Sequence, residues 1–263
     1  MRTLISKSML NLGLKLWSTN INYLPAAQSL YKQNIFSYIE LLVKPGSNDA
    51  VSAWQNAGIP FALHAPHSLA GMNPAQRQAR TANRKAIHDL NEFTLALHPR
   101  YVVFHGGLNG DINETIDQLN EFKETFPASF KNALIENKPD VGINGEKCIG
   151  SSAETIQHIM MSTGMGFCLD FGHAMCHAAF LKEDPGKIIA EFLALCPKTF
   201  HLSDGWRSST KDTHLHLGKG DFPLREILSR ITENANLLIE TEKGTSDDLQ
   251  DYIEDATFVK AFC

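Results

Sequence analysis

The 263-residue chain carries 24 Lys and Arg against 29 Asp and Glu, a formal net charge of -5, with 43% hydrophobic and 20% charged residues. That balance describes a globular protein with a substantial core; it excludes disorder and gives no global basic field, so a polyanion would have to be held by a local patch or by metal ions. No apolar run approaches the ~20 residues needed to cross a bilayer, and Ser, Asn and Gly interrupt residues 1–16 with no small-residue cleavage site after them, so a cytoplasmic protein with no membrane partner is expected.

Short apolar runs suited to buried parallel strands recur along the chain at Leu12 to Trp17, Tyr38 to Val43, Phe61 to His64, Tyr101 to His105, Asn132 to Glu136, Gly166 to Asp170, Thr199 to Leu202 and Asn236 to Glu240. Helical patterns fall between them, at Pro25 to Gln33, Asn48 to Ala57, Pro74 to Leu97, Asn113 to Thr125, Ser152 to Thr163, Lys187 to Leu195, Pro223 to Glu233 and Ser246 to Phe258. Ser152, Asn73 before Pro74, and Ser246 read as caps. Eight alternations of strand and helix predict a (β/α)8 TIM barrel, an α/β fold with a parallel eight-stranded sheet, formed by residues 1–263 as a single domain. An open doubly wound sheet would show a Gly-rich phosphate turn after an early strand, and the chain has no GxGxxG or Walker sequence. The five cysteines form no CxxC pair and read as reduced thiols, with Cys168 a small buried hydrophobe.

Six consecutive predicted strands close on a residue able to bind metal: His64, His105, Glu136, Asp170, His201 and Glu240. In a parallel barrel the C-terminal strand ends converge on one mouth, so these side chains share a small volume. Three carboxylates and three imidazoles packed there would repel or lose charge unless a cation joined them. Mixed imidazole and carboxylate ligands suit Zn, Mn, Fe or Co rather than Mg or Ca. Two loops add His173, three residues after Asp170, and the pair Asp212 and His214, which brings the candidates to nine. His88, His98 and His158 fall on or beside helices and read as surface residues, whereas His67, His177 and His216 are left open between supporting ligands and contacting substrate. Arg77, Arg80, Arg84 and Lys85 share one predicted helix face, read as a solvated face or a phosphate contact.

The segments His64-Ala-Pro-His67, Phe104-His105-Gly-Gly107, Ile135-Glu136-Asn137, Leu169-Asp170-Phe-Gly-His173-Ala174, His201-Leu-Ser-Asp204 and Asp212-Thr-His214-Leu-His216-Leu-Gly218-Lys-Gly220 resemble the xylose-isomerase-like barrel superfamily over roughly residues 60 to 242. That superfamily includes endonuclease IV, which cuts DNA at abasic sites, and the sugar and sugar-phosphate isomerases and epimerases. The resemblance to endonuclease IV implies a trinuclear zinc cluster: His64, His105 and Glu136 on one ion, Glu136 bridging to a second completed by Asp170, His201 and Glu240, and His173, Asp212 and His214 on a third. It implies phosphodiester hydrolysis, with a small phosphorylated substrate or abasic DNA as partner. The isomerase branch implies one ion on Glu136, Asp170, His201 and Glu240, a sugar substrate, and Glu136 and Glu240 as catalytic residues moving a proton beside a carbonyl. Two departures from the endonuclease IV pattern stand out. Its first strand carries Gly-x-His-x-Ser where this chain reads Asn11-Leu-Gly-Leu-Lys-Leu-Trp17, and His67 takes the place of an aromatic residue. A barrel that only binds a ligand is a third reading.

Overall fold

The computed structural model describes residues 10–244 and 247–262. Eight strands, β1 (Asn11–Trp17), β2 (Tyr38–Leu42), β3 (Phe61–His64), β4 (Val102–His105), β5 (Ala133–Glu136), β6 (Gly166–Asp170), β7 (Thr199–Leu202) and β8 (Asn236–Ile239), pair in parallel and in chain order. β8 closes the barrel on β1, with Leu14 opposite Ile239. This is the expected TIM barrel, since parallel strands joined by helical crossovers bury both faces of their sheet.

Side chains alternate between the outer face, packed under the helices, and the barrel interior. Phe61 and Leu63 lie outside in the main core, while Ala62 belongs to a separate interior cluster with Tyr38, Tyr101, Val103, Leu134 and Cys168. Two residues further along each strand the interior changes character: Tyr38 gives way to Glu40, Ala62 to His64, Val103 to His105, Leu134 to Glu136, and Cys168 to Asp170. An apolar plug therefore supports an ionisable layer. Gly13 makes room for the plug, because a Cβ there would stand 2.5 Å from Cζ of Tyr38. A hydroxyl chain in which Thr199 donates to Tyr101 (3.2 Å) and Tyr101 to Tyr38 (3.0 Å) links the polar atoms enclosed with it.

The helices are α1 (Leu24–Lys32), α2 (Val51–Gln55), α3 (Arg80–Leu97), α4 (Ile112–Thr125), α5 (Pro127–Phe130), α6 (Ala153–Thr163), α7 (Phe171–Leu181), α8 (Pro185–Leu193), α9 (Leu224–Ser229) and α10 (Gln250–Phe262). Ser152 caps α6 as expected, accepting from the Thr155 amide. Asn73 does not cap a helix. Its amide side chain grips the backbone of Leu108 at both N and O (2.9 Å each), and α3 starts only at Arg80 after a 3-10 turn. Between β6 and β7 there are two helices where the sequence suggests one. α7 is buried on nearly every side, so it shows no amphipathic stripe. The last helix begins at Gln250 rather than Ser246; Ser246 and Cys263 lie outside the described residues. Cys148, Cys168, Cys176 and Cys196 are free thiols. Among the described residues no helix is long and apolar enough to cross a membrane.

Candidate metal centre

Register brings the ionisable layer together. His105 stands opposite Glu136 across β4 and β5, Asp170 opposite His201 across β6 and β7, and Lys15 opposite Glu40 across β1 and β2. All nine residues singled out in the sequence meet at the C-terminal mouth. Their ligand atoms fall into compact groups, each within 4.8 Å: His64, His105 and Glu136; Glu136, Asp170 and His173; and His173, Asp212 and His214. His201 and Glu240 form a further group with Glu40. Glu136 is the hub, with Oε2 at 3.2 Å from Nε2 of both His64 and His105 and Oε1 at 3.1 Å from Nδ1 of His173.

Each element has a local reason to present its residue. Asp170 ends β6 and starts α7 at once, its Oδ1 accepting from the His173 amide at 2.7 Å, so a single helical turn swings His173 back over the strand end. Asn137 clamps β5 to β6 through both backbone groups of Asp170, donating to its carbonyl (2.9 Å) and accepting from its amide (2.8 Å). The loop carrying Asp212 and His214 is tied down by Asp204, whose carboxylate accepts from the amides of Gly205, Gly218, Gly220 and Phe222. Gly220 is required there, since a Cβ would lie 2.1 Å from the Gly205 carbonyl oxygen. His214 itself sits at φ 44, a left-handed conformation costly for a residue with a side chain.

The ring orientations fit a metal. Nδ1 of His64 faces the Ala65 carbonyl (2.7 Å), Nδ1 of His173 faces that of Asn137 (2.8 Å), and Nδ1 of His214 faces that of Glu240 (2.6 Å). A ring whose Nδ1–H is donated presents a lone pair at Nε2, and that nitrogen faces a carboxylate in all three, Glu136 for His64 and Asp212 for His173 and His214, with Nζ of Lys138 also 3.2 Å from Nε2 of His173. His201 is the mirror case, with Nε2 on Glu40 (3.1 Å) and Nδ1 directed at Glu240 Oε2 (2.7 Å). Acceptors on both sides of an imidazole demand either a second proton or a cation between ring and carboxylate, and supporting partners of this kind are the usual setting of ligating histidine. Orphaned atoms point the same way. Oδ2 of Asp170 is buried without a hydrogen-bond partner, and the close approaches of His105 Nε2 to Glu136 Oε2 and of His201 Nδ1 to Glu240 Oε2 lack hydrogen-bond geometry. Burial raises the Asp170 pKa, and the pull of His173 does not offset burial together with Glu136, Asp212 and Glu240. The residues present therefore fit a divalent cation.

Lys15, Glu40 and Lys138, whose Nζ is 3.2 Å from Nε2 of His173, are absent from the sequence-derived set. Lys15 donates to Glu40 Oε1 at 2.9 Å and approaches Glu240 Oε1 at 3.2 Å, with its side chain 7% exposed. Burial works against the Lys15 ammonium, but Glu240, Glu40 and Glu136 outweigh it and hold the pKa above its ordinary value. Burial likewise opposes the Glu40 carboxylate, yet His201 and Lys15 bring it down to about 2. The signal was a charged residue inside each of two strands that otherwise read as fully buried. Lys15 therefore supplies one positive charge to the carboxylate cluster from within the chain, where the sequence reading left that charge to a metal alone.

The remaining candidates separate cleanly. His67 lines the cavity and stacks beside His105, its pKa held down at about 3 by burial and by His64 and Lys138. His177 pairs with Asp140 (2.6 Å) and His216 with Asp255 (2.8 Å), so both brace loops. His88, His98 and His158 are exposed. Cys168 lies near Glu136 and His201, but burial pushes its thiol well up and it packs as part of the plug. On the basic helix face, Arg80 is paired with Glu114 and Glu121, and Arg84 with Glu121, which neutralises half of that face within the chain. Above the centre opens a cavity of 570 Å³, with Trp17, His67, Lys138, Ile143 and Lys243 among its walls.

A closed parallel barrel whose C-terminal mouth gathers candidate metal ligands is an architecture shared by many metal-dependent enzymes. The chain belongs to the xylose isomerase-like TIM barrel family, whose model matches residues 29–262. A probable endonuclease 4 of Mycobacterium ulcerans is 23% identical over 216 residues, covering 78% of this chain and 82% of the relative. Among solved structures, endonuclease IV from Thermus thermophilus aligns with a TM-score of 0.69 at 18% identity, over 95% of this chain and 99% of its own. A D-tagatose 3-epimerase-like protein aligns with a TM-score of 0.71, also at 18% identity, over 96% and 97%. The chain is thus similar in sequence to a relative named as an endonuclease and shares its fold with a protein named for epimerisation.

Proposed function

We propose that the chain is a divalent-metal-dependent phosphodiester hydrolase of the endonuclease IV kind, with a ligand set suited to as many as three zinc-type ions. His64, His105 and Glu136 would hold one, Glu136, Asp170, His201 and Glu240 a second, and His173, Asp212 and His214 a third. The observation that carries this reading is the third group. His173 on α7 and Asp212 and His214 on a loop fastened by four backbone-amide hydrogen bonds to Asp204 converge within 4.8 Å beside Glu136, and a one-metal isomerase has no use for them. Ions bound there would supply an activated water and stabilise a leaving oxygen. The chain's own part is to fix the ligands: backbone carbonyls set the tautomers of His64, His173 and His214, Glu40 sets that of His201, and the apolar plug closes the barrel below. Mixed imidazole and carboxylate donors favour zinc, with Mn, Fe or Co as the other fitting ions.

The reading is tested by assaying the metal-loaded protein on an abasic-site duplex and on a small aryl phosphodiester. Cleavage that chelation abolishes and metal restores is expected; a fully loaded protein that cleaves no phosphoester contradicts it.

A second reading, a metal-dependent sugar or sugar-phosphate isomerase or epimerase, is favoured by the cavity. Its 570 Å³ lies within the range of small-molecule sites. Glu136 and Glu240 would then exchange a substrate C–H proton. Incorporation of solvent deuterium into ketoses or their phosphates would establish it.

A further inference from the structure

The nine candidate ligands leave a charged group on the cavity floor without a task. Lys15 lines the cavity, and its ammonium has three N–H donors but two protein acceptors, Glu40 Oε1 at 2.9 Å and Glu240 Oε1 at 3.2 Å. Both acceptors are themselves fixed. The other oxygen of Glu40 meets Nε2 of His201 at 3.1 Å, and the other oxygen of Glu240 meets Nδ1 of the same ring at 2.7 Å. Lys15, Glu40, His201 and Glu240 therefore close a ring drawn from β1, β2, β7 and the end of β8. A lysine held at two points has little rotamer freedom left, so its remaining donor has a set direction.

A purely neutralising role is the plainer explanation. Buried ion pairs, however, seldom stabilise a fold better than apolar side chains of the same volume, and the floor below is already an apolar plug. What a fixed ammonium offers beside a metal is a donor already oriented toward negative charge on a bound ligand. We propose that Lys15 Nζ donates its third N–H to an anionic oxygen of the ligand held at the metal centre, and so selects ligands that carry an oxyanion, such as a phosphoryl group, next to the metal. This rests on the metal-site reading above, and it holds for either reaction proposed there.

The test titrates zinc-loaded wild type and Lys15→Met with inorganic phosphate by calorimetry, with zinc per chain measured on the same samples. Loss of a charge-assisted hydrogen bond predicts affinity weaker by about 10- to 100-fold at unchanged zinc content. Phosphate affinity per loaded site equal to wild type overturns the proposal, and so does a variant whose sole defect is lost zinc, since Lys15 would then act only through Glu240. A structure of loaded wild type with phosphate keeps the question open to refutation should the variant not fold. Nζ is expected at about 3 Å from a phosphate oxygen, and an ammonium contacting only Glu40 and Glu240 overturns the assignment. Phosphate that fails to bind loaded wild type also overturns it, while the hydrolase reading is judged separately on phosphodiester cleavage.

Discussion

Lys15 and Glu40 face each other across β1 and β2, in register in the sheet and joined Nζ to Oε1 at 2.9 Å. Lys15 lies on β1, the strand on which β8 closes, and through Glu240 and His201 the pair reaches Glu136, whose Oε2 is 3.5 Å from Nδ1 of His201. Its geometry sets a stability test. Glu40→Gln keeps the shape and removes the charge, leaving Lys15 buried beside Glu240 alone. Metal-free protein should lose about 3 kcal/mol in urea unfolding, the usual cost of breaking a buried pair from one side. The double variant Lys15→Met with Glu40→Gln should lose less than the sum of the single losses. Strict additivity would show that the two residues do not act as a pair.

Metal loading should release protons. Burial opposes the charged form of His173, yet Asp170 and the bonds to Asp212 and Glu136 bring it to about 9; Asp212 brings His214 to about 10 in the same way. Both imidazoles are therefore protonated near neutral pH in the metal-free chain, and a metal binds only the neutral ring. Affinity for zinc should rise with pH up to about 9, by roughly two log units per pH unit if both rings give up a proton to one ion. Calorimetry in two buffers of different ionisation enthalpy measures that release directly. Binding with no net proton release would mean that these rings are not ligands.

The loop that presents Asp212 and His214 depends on one buried carboxylate. Asp204→Asn turns one amide-accepting oxygen into a donor and sets it against backbone N–H groups of Gly205, Gly218, Gly220 or Phe222. A loss of about 3 kcal/mol is expected, together with loss of the ion assigned to His173, Asp212 and His214. Chemical denaturation and elemental analysis on the same variant read the two effects. Full metal content would place the loop's anchor elsewhere.

Glu136 and Asp212 should differ in what they take with them. Glu136 belongs to two of the ligand groups, with His64 and His105 and with Asp170 and His173, and Asp212 to one. Glu136→Gln is expected to lower metal content by more than one ion per chain, and Asp212→Asn by one. Equal losses would contradict the assignment of Glu136 as a bridge.

Much of this was legible in the sequence, for a physical reason. Strand ends of a parallel barrel converge, so the end residues of Phe61-Ala-Leu-His64 and Ala133-Leu-Ile-Glu136 could be placed together without coordinates. The capping of α7 by Asp170 was less visible. Phe171 to Leu181 is apolar apart from His173 and His177 and buried from Phe171 to Ala178, so it lacks the polar face by which a helix is read. Lys15 and Glu40 were hidden for a related reason. Each interrupts a run that otherwise reads as a buried strand, and only the register of β1 on β2 shows that they meet. The basic face around α3 reads in the sequence as a solvated face or a phosphate contact, and Glu114 and Glu121 on α4, opposite Arg80 and Arg84, neutralise half of it.

Metal content per chain tests the central claim most directly. Elemental analysis of protein purified with zinc present, with anomalous scattering to locate the ions, should find close to three per chain: one by His64, His105 and Glu136, one by Asp170, His201 and Glu240, and one by His173, Asp212 and His214. A chain that holds one ion or none under those conditions would contradict the account.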